Sequence, residues 1–313
     1  MKKFLRIAAY TLFFIFVLFN ILVASQAYYL THFYYANEIK QRPAWREILL
    51  GKQNARKDVK EQPAFPFENI TLTTSDNVKL QGWYVKADST PRGTLLMFHG
   101  HASSRSGIVN EINAFHKMGW NICTVDFRAH GTSEGNVSTV GFYESKDVKA
   151  VYDYIEKKKE KNVAIWGISM GAATALKAIH DYDLKPSKLI LEMPFGSLVD
   201  AVEGRLHIMN VPREPLATFL TFWGGAEQGF WAFDLKPTEY AKKVNCPVLL
   251  QWGINDPRVS EKETHEIFKN LQSQDKLLIK YANSGHESLH DKETEKWLQV
   301  VTPFMDSPKG MKP

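Results

Sequence analysis

Residues 163–179 read VAIWGISMGAATALKAI and carry the clearest structural signal in this chain of 313 residues. The apolar run 163–166 predicts a buried strand, and the small apolar residues after the motif GISMG predict a helix. The motif places Ser169 on a sharp turn from strand to helix. Such a turn is tight, and side chains at positions 167 and 171 would collide with neighbouring backbone, which explains the two glycines. The pattern therefore indicates a serine nucleophile whose side chain projects above the end of the sheet. A purely structural turn is the alternative, because such a string also arises by chance.

Strands and helices alternate along the rest of the chain, and this order predicts the fold class. Eight strands are predicted at residues 69–74, 78–85, 94–99, 121–126, 163–166, 188–192, 248–252 and 277–281. Helices are predicted at residues 108–118, 143–157, 170–180, 261–271 and 292–304. The alternation favours an α/β protein with a mostly parallel sheet and helices on both faces.

A serine needs a base to act as a nucleophile, and two downstream loops offer partners. Asp256 follows the apolar run 248–252, so we expect it at the carboxyl end of a strand, where parallel-sheet sites form. His286 follows the last predicted strand. The order Ser169, Asp256, His286 is the one expected of a nucleophile, an orienting acid and a general base. For Asp256 the alternative is a turn-initiating role before Pro257.

An oxyanion hole requires two backbone N–H donors aimed at one point. We predict that they come from Met170, the residue after the nucleophile, and from His101, in the loop after the strand at 94–99. The His101 side chain could line the pocket or face solvent. His99 and His101 do not indicate a metal site, because no third ligand or carboxylate is near them in the sequence. No metal or other cofactor is therefore expected.

Five motifs in sequence order carry a resemblance to a known family. They are FHG at 98–100, DFRAHGTSEG at 126–135, GISMG at 167–171, the Asp256 turn and Gly285-His286. Over residues 69–304 the chain resembles the α/β-hydrolase superfamily, and most of all its serine-aminopeptidase-like branch related to the prolyl oligopeptidases. The resemblance implies the α/β-hydrolase fold with a small helical lid, and a 126–135 loop beside the pocket. Arg128 and His130 in that loop could hold structure or touch substrate, and a structural role is favoured.

A long interval follows the strand at 188–192, and the superfamily inserts its lid at this point. Proline and glycine residues divide residues 195–245 into short helices, and the interval exceeds what an ordinary crossover needs. We expect an apolar pocket lining from this lid, with the candidates Phe195, Phe222, Trp223 and Trp231. The alternative is that these aromatic residues only pack the lid onto the core.

The N-terminal part has no Asp, Glu, Lys or Arg from residue 7 to residue 37. Its apolar centre, residues 7–27, would form a helix of about 32 Å, enough to cross a hydrocarbon core of about 30 Å. A cleaved signal peptide, which would leave a secreted or periplasmic protein, is one alternative, and a buried helix of a soluble protein is another. The length favours an anchor, as does an aromatic belt that follows it: Tyr28, Tyr29, Phe33, Tyr34 and Tyr35.

The basic residues before this segment, Lys2, Lys3 and Arg6, predict a cytoplasmic N-terminus and a main domain on the other side of the membrane. We therefore divide the chain into an anchor at 1–35, a connector at 36–66 and a hydrolase domain at 67–313. In the connector, a short helix is predicted from the spacing of Trp45, Ile48 and Leu49. Cys123 falls in the strand at 121–126, and Cys246 begins the apolar run that ends at Trp252, so the two are expected to be separate buried thiols.

Composition limits the classes of function. Hydrophobic residues make up 44% of the chain and charged residues 23%, which excludes a disordered or fibrous protein. The net charge is +5, but three basic residues precede the first acidic one, Glu38, and the remaining 36 basic and 34 acidic residues leave only +2. Because no basic stripe is present either, a nucleic-acid partner is not expected.

The leading hypothesis is a membrane-anchored serine hydrolase that cleaves carboxylic esters, with thioesters and lipid acyl esters included, through an acyl-enzyme on Ser169. One alternative is a serine peptidase or aminopeptidase of the same fold, for which no group that would hold a peptide terminus is identified. The other is a catalytically inactive binding protein. The expected partners are an ester substrate and, through the N-terminal helix, the membrane; no oligomeric state is predicted.

Overall fold

Eight strands form the central sheet in the computed structural model, which describes residues 1–41 and 54–307. They are β3 (Phe67–Thr73), β4 (Lys79–Val85), β5 (Thr94–Phe98), β6 (Asn121–Val125), β7 (Val163–Ile168), β8 (Lys188–Glu192), β9 (Val248–Gly253) and β10 (Lys276–Tyr281). The order across the sheet is β10-β9-β8-β7-β5-β6-β4-β3, with β4 antiparallel to both of its neighbours and the other pairs parallel. The prediction of a mostly parallel sheet of eight strands is confirmed.

The strand register aligns the ends that carry the candidate site. Gly167 of β7 lies between Phe98 of β5 and Leu191 of β8. Farther along, Glu192 pairs with Gln251 of β9. Because these strands are parallel, the loops that follow them emerge at the same edge of the sheet.

Helices cover both faces of this sheet, as the buried strands require. They are α3 (Val109–Lys117), α4 (Ser145–Lys157), α5 (Met170–Tyr182), α6 (Leu198–Ile208), α7 (Leu216–Gln228), α8 (Pro237–Tyr240), α9 (Glu261–Asn270), α10 (Leu289–Lys292) and α11 (Thr294–Asp306). Successive strand residues enter opposite cores: Leu96 packs with α4 and α5, whereas Leu95 packs with α3 and α11. Cys123 is buried and Cys246 half-buried, and the two thiols are not bonded to each other.

The N-terminal helix α1 (Lys2–Thr31) is long and apolar enough to cross a membrane. Its large side chains between Phe4 and Leu22 are mostly exposed, whereas Val23 and Ala27 are buried against the rest of the protein. A short helix, α2 (Ala36–Lys40), follows. The helix predicted around Trp45, Ile48 and Leu49 lies outside the described residues.

The predicted aromatic belt is wrong for two of its residues. Phe33 and Tyr34 are buried in β1 (Phe33–Tyr34), which pairs with β2 (Asn54–Ala55). The Phe33 ring contacts the rings of His101 and His130, with centroids 5.2 and 4.8 Å away. These aromatic side chains join the chain after α1 to the core around the central sheet, so they are not available to lipid. Tyr28 and Tyr35 remain exposed.

The segment predicted as a lid contains α6 and α7, joined by a loop with a cis peptide bond before Pro215. Ser197 caps α6 by accepting the backbone N–H of Asp200 at 3.2 Å, and Gly229 ends α7 with a φ of 73°. Helix α7 packs against the last turns of α1, through a cluster that includes Leu220, Ala217 and Leu206. The lid therefore lies between the N-terminal helix and the sheet edge.

Candidate active site

Ser169 lies at the turn between β7 and α5 with a φ of 53° and a ψ of −116°, a strained backbone for a residue with a side chain. Its backbone N–H donates to the carbonyl oxygen of Glu192 at 2.7 Å. A Cβ atom at Gly167 would lie 2.6 Å from the carbonyl carbon of Gly171, and one at Gly171 would lie 2.2 Å from the Phe98 oxygen. The glycines thus allow the close approach of strand and helix that raises the serine above the sheet.

The structure brings the three predicted side chains together in one chain of hydrogen bonds. His286 Nε2 lies 2.8 Å from Ser169 Oγ, and His286 Nδ1 lies 2.6 Å from Asp256 Oδ2. The Asp256 carboxylate is fully buried, and its other oxygen accepts the backbone N–H groups of Arg258 and Val259 at 2.7 and 3.0 Å. Asp256 therefore stabilises its own turn and also orients the imidazole, so the two roles considered for it are compatible.

The two predicted oxyanion donors flank the serine. Met170 is the first residue of α5, where a backbone N–H has no partner within the helix. His101 lies in the loop after β5, and its N–H makes no hydrogen bond within residues 1–41 and 54–307. Both N–H groups thus remain able to donate to a bound oxygen.

His130 holds the loop that carries His101. Its Nε2 accepts the Ala102 N–H at 3.1 Å, and its Nδ1 donates to the Arg128 carbonyl oxygen at 2.9 Å. Burial lowers the pKa of His130 to about 4, so the ring is neutral at pH 7 and can accept at one nitrogen while it donates at the other. His130 thus holds the backbone of the loop after β5, in agreement with the structural role favoured from the sequence.

Arg128 is also engaged in structure. Its guanidinium donates to Asp147 at 2.7 and 2.9 Å and to Asp76 at 2.9 and 3.1 Å. These bonds join the 126–135 loop to α4 and to the hairpin between β3 and β4. His99 accepts the Phe127 N–H at 3.0 Å in the same region. Among the described residues, no group of three His, Cys, Asp or Glu could hold a metal ion.

Ser169 and His286 open onto a cavity of about 340 Å³, within the size range of small-molecule sites. The walls are mostly apolar. Lid residues on the walls include Leu216, Leu220 and Gly224, which are spaced four apart on one face of α7. The His101 side chain lines the cavity, so of its two predicted surroundings the pocket is the correct one. Burial and the nearby His130 lower its pKa to about 3, which makes the ring neutral.

Of the four predicted pocket aromatics, only Phe195 is part of the cavity lining. The prediction is wrong for the other three. Trp223 faces α1, where its Nε1 donates to Asn20 Oδ1 at 3.1 Å. Phe222 and Trp231 are 39% and 57% exposed. For Phe222 and Trp223 the reason is the rotation of α7, which turns its aliphatic and small residues to the cavity and these two aromatic residues away from it; Trp231 lies beyond the end of α7.

Sequence reasoning missed two groups of cavity residues. The first is the end of α1, which contributes Gln26, Ala27, Leu30 and Thr31. The second is the pair Arg205 and Arg258, which form no ion pair and no side-chain hydrogen bond among the described residues. Burial and the nearby Arg205 guanidinium lower the pKa of Arg258.

A second, more open cavity of about 420 Å³ shares Arg258 and His286 with the first. Its lining is more polar and includes Asn255, Asn283 and Glu287. An apolar chamber and a polar cavity thus meet at the same histidine.

Comparison with known proteins agrees with the fold. The family model described as "Serine aminopeptidase, S33" matches residues 89–220. An esterase of Pyrococcus furiosus has 25% sequence identity and a TM-score of 0.66, over 80% of this chain and 96% of the esterase. The chain belongs to the α/β-hydrolase superfamily. Within the superfamily, its relatives are esterase- and lipase-like hydrolases.

Two curated relatives extend the comparison. The uncharacterized protein YqkD of Bacillus subtilis is 26% identical over 233 residues, which cover 73% of this chain and 75% of YqkD. The lysophosphatidylserine lipase ABHD12 of Mus musculus is 28% identical over 193 residues, which cover 58% of this chain and 46% of the lipase. The chain therefore spans about half the length of that lipase.

Proposed function

We propose that this α/β-hydrolase cleaves carboxylic esters of single-chain lipids through an acyl-enzyme on Ser169. The observation that carries the proposal is the hydrogen-bonded series Ser169, His286 and Asp256 at the floor of an apolar cavity. A nucleophile and its base at 2.8 Å are within the range required for proton transfer. An apolar chamber of limited size suits one hydrocarbon chain more than a folded peptide.

The proposed chemistry follows from the positions of these atoms. Ser169 Oγ attacks the ester carbonyl carbon while His286 Nε2 takes its proton, and the backbone N–H groups of His101 and Met170 stabilise the oxyanion. Collapse of this intermediate breaks the ester C–O bond, and His286 gives its proton to the departing alcohol. Water then attacks the acyl-enzyme, His286 accepts the water proton and returns it to Ser169 Oγ, and the carboxylic acid leaves. Asp256 holds the imidazole in the required tautomer throughout.

The two cavities support an assignment of the substrate's parts. The acyl chain would occupy the apolar chamber, and the alcohol would extend into the polar cavity. Arg258 and His286 line both cavities, so they lie where the two parts of the substrate would meet. Two guanidinium groups without protein partners favour an alcohol that carries a phosphate. The lysophosphatidylserine lipases among the relatives act on a substrate of this kind, which supports a lysophospholipid as the substrate class.

We further propose that α1 is a retained anchor, with the N-terminus in the cytoplasm and the hydrolase domain on the other side. The exposed apolar stretch from Ile7 to Leu22, which follows Arg6, would extend about 24 Å as a helix, most of the thickness of a hydrocarbon core of about 30 Å. Lys2 and Lys3 precede it and favour the cytoplasmic side. Retention of the protein in alkaline-washed membranes, with the hydrolase domain cut by protease added on the non-cytoplasmic side, is the expected result.

Labelling by a fluorophosphonate probe tests the nucleophile directly. The full chain in detergent should react, the labelled peptide should contain Ser169, and Ser169→Ala should abolish both labelling and ester hydrolysis. Ser89→Ala, at an exposed loop position, is the matched control and should behave as the native protein. A folded native protein that fails to label would refute the proposal. Hydrolysis of aminoacyl anilides in place of p-nitrophenyl esters would indicate a peptidase.

A further inference from the structure

The end of the N-terminal helix packs on the lid as a part of the protein core. Val23 and Ala27 are each only 2% exposed, in a cluster with residues of α6 and α7. Phe19 meets the ring of Phe219 edge-on, with centroids 5.2 Å apart. A helix that served only as a tether would not need these contacts.

Hydrogen bonds fix this end of α1 in position. The Asn54 side-chain amide donates to the carbonyl oxygens of Tyr29 and Leu30 at 2.8 and 3.1 Å, which satisfies carbonyls that a helix end leaves free. The Ser138 N–H donates to the Thr31 carbonyl oxygen at 2.8 Å. The last turn is therefore held both by β2 and by the loop that precedes α4.

The fixed turn faces the catalytic chamber. Ala27, Leu30 and Thr31 line the same cavity as Ser169, across from the apolar face of α7. A Cβ atom added at Gly224 would lie 3.9 Å from Thr31 Cγ2, so the two helices approach closely at the chamber. The size of the side chains at 27 and 30 thus limits the space available to a substrate.

We infer that the last two turns of α1 form a wall of the acyl-binding chamber and that Ala27 and Leu30 set the length of acyl chain accepted. The inference rests on the proposed ester hydrolysis at Ser169. Helix α1 would then have two roles: it would anchor the protein in the membrane, and its last two turns would shape the catalytic chamber. Removal of residues 1–27 as a signal peptide would open the chamber, so the inference requires that the segment be retained.

Two opposite substitutions in the full chain test the wall. Ala27→Leu adds volume inside the chamber, so the kcat/KM for octanoyl and palmitoyl p-nitrophenyl esters should fall roughly ten-fold or more while the acetyl ester is little affected. Leu30→Ala removes volume and should shift the preference towards longer chains. The matched controls are Ala9→Leu and Leu22→Ala, at exposed positions of the same helix, and they should keep the native chain-length profile.

The proposed wall would be refuted if Ala27→Leu and Ala9→Leu had the same chain-length profile. It would also be refuted if Ala27→Leu lowered kcat/KM equally for all the esters. A binding measurement separates this failure from failure of the proposed hydrolysis. Octanoate should raise the Tm of the Ser169→Ala protein, and Ala27→Leu on that background should abolish the shift. A native protein that hydrolyses no ester would refute the proposed function. The Tm measurement tests the wall independently of that result: loss of the octanoate-induced shift in the Ala27→Leu variant would support the wall, and an unchanged shift would refute it.

Discussion

The indole Nε1–H of Trp297 donates a hydrogen bond of 2.8 Å to Oε1 of Glu192, the residue whose backbone carbonyl oxygen accepts the N–H of Ser169. Trp166 and Gln251 donate to the same oxygen at 3.0 and 3.1 Å. Oε2 has no partner within the described residues. Burial raises the pKa of Glu192 to about 8, so the carboxyl group is mostly protonated at neutral pH.

This protonation predicts a pH-dependent effect of Glu192→Gln. The folded protein retains a proton that the unfolded chain loses near its ordinary pKa of 4.5, so native stability falls as pH rises from about 4.5 to about 8. A glutamine at position 192 cannot titrate, so the variant does not lose stability in this way as the pH rises. We expect the stability of the variant relative to the native protein to improve by about 1.4 kcal/mol per pH unit in that interval, as measured by chemical unfolding.

Glu266→Gln is the control for this experiment, because Glu266 is exposed. Its stability relative to the native protein should stay nearly constant over the same pH interval. A constant difference for Glu192→Gln as well would mean that the buried carboxyl group is ionised in the folded protein.

His130 is predicted to act as a positioning residue for the oxyanion loop. In His130→Ala the Ala102 N–H loses its acceptor, the neighbouring His101 N–H is displaced, and kcat should fall roughly ten- to a hundred-fold with KM little changed. Steady-state kinetics on a p-nitrophenyl ester separate the two parameters. His130→Gln, whose amide oxygen can accept the same N–H, should recover part of kcat. Equal changes in KM and kcat, without recovery by glutamine, would indicate a merely structural role.

The sequence was sufficient to predict the sheet, because each strand is a short apolar run followed by a turn and a helix. It also predicted the close group Ser169, Asp256 and His286, since parallel strands bring their following loops to one edge. It could not predict the part of α1 in the site. Nearly every residue of that helix is apolar, so hydropathy does not distinguish a face that meets lipid from one that meets protein. Asn20 and Gln26 were the available signal, as polar residues in an otherwise apolar helix.

The lid and the buried carboxyl group escaped prediction for different reasons. The rotation of α7 about its axis depends on what it packs against, so composition could not tell which of its side chains reach the cavity. Trp223 was assigned to the pocket but meets α1. Glu192 belongs to no short motif, and its partners Trp166, Gln251 and Trp297 come from three distant segments.

Arg205 and Arg258 are predicted to select substrates with a phosphate in the alcohol part. Arg258→Gln should lower kcat/KM for a lysophospholipid by roughly ten-fold or more, because a charge-assisted hydrogen bond is lost, and should leave a p-nitrophenyl ester of the same acyl chain nearly unaffected. Arg205→Gln should act in the same direction. Parallel assays on the lysophospholipid and the p-nitrophenyl ester give the ratio of their kcat/KM values in each variant.

The matched control is Arg213→Gln, an exposed arginine of the lid loop outside the cavity lining. It should leave the ratio between the two esters unchanged. If Arg258→Gln reduced both esters to the same extent, the guanidinium would serve the Asp256 turn and would not recognise the substrate.

The hydrogen bond between Asn20 and Trp223 is predicted to couple α1 to the lid. Asn20→Leu and Trp223→Phe each remove one partner, so a double-mutant cycle on the unfolding free energy of the full chain in detergent should give a coupling of about 1 kcal/mol. The cycle of Asn20→Leu with Trp231→Phe is the control, because Trp231 is 57% exposed, and its effects should add. Additive effects in both cycles would mean that the helix and the lid are not coupled through this bond, because once one partner of a hydrogen bond has been removed, removal of the other partner should cost less.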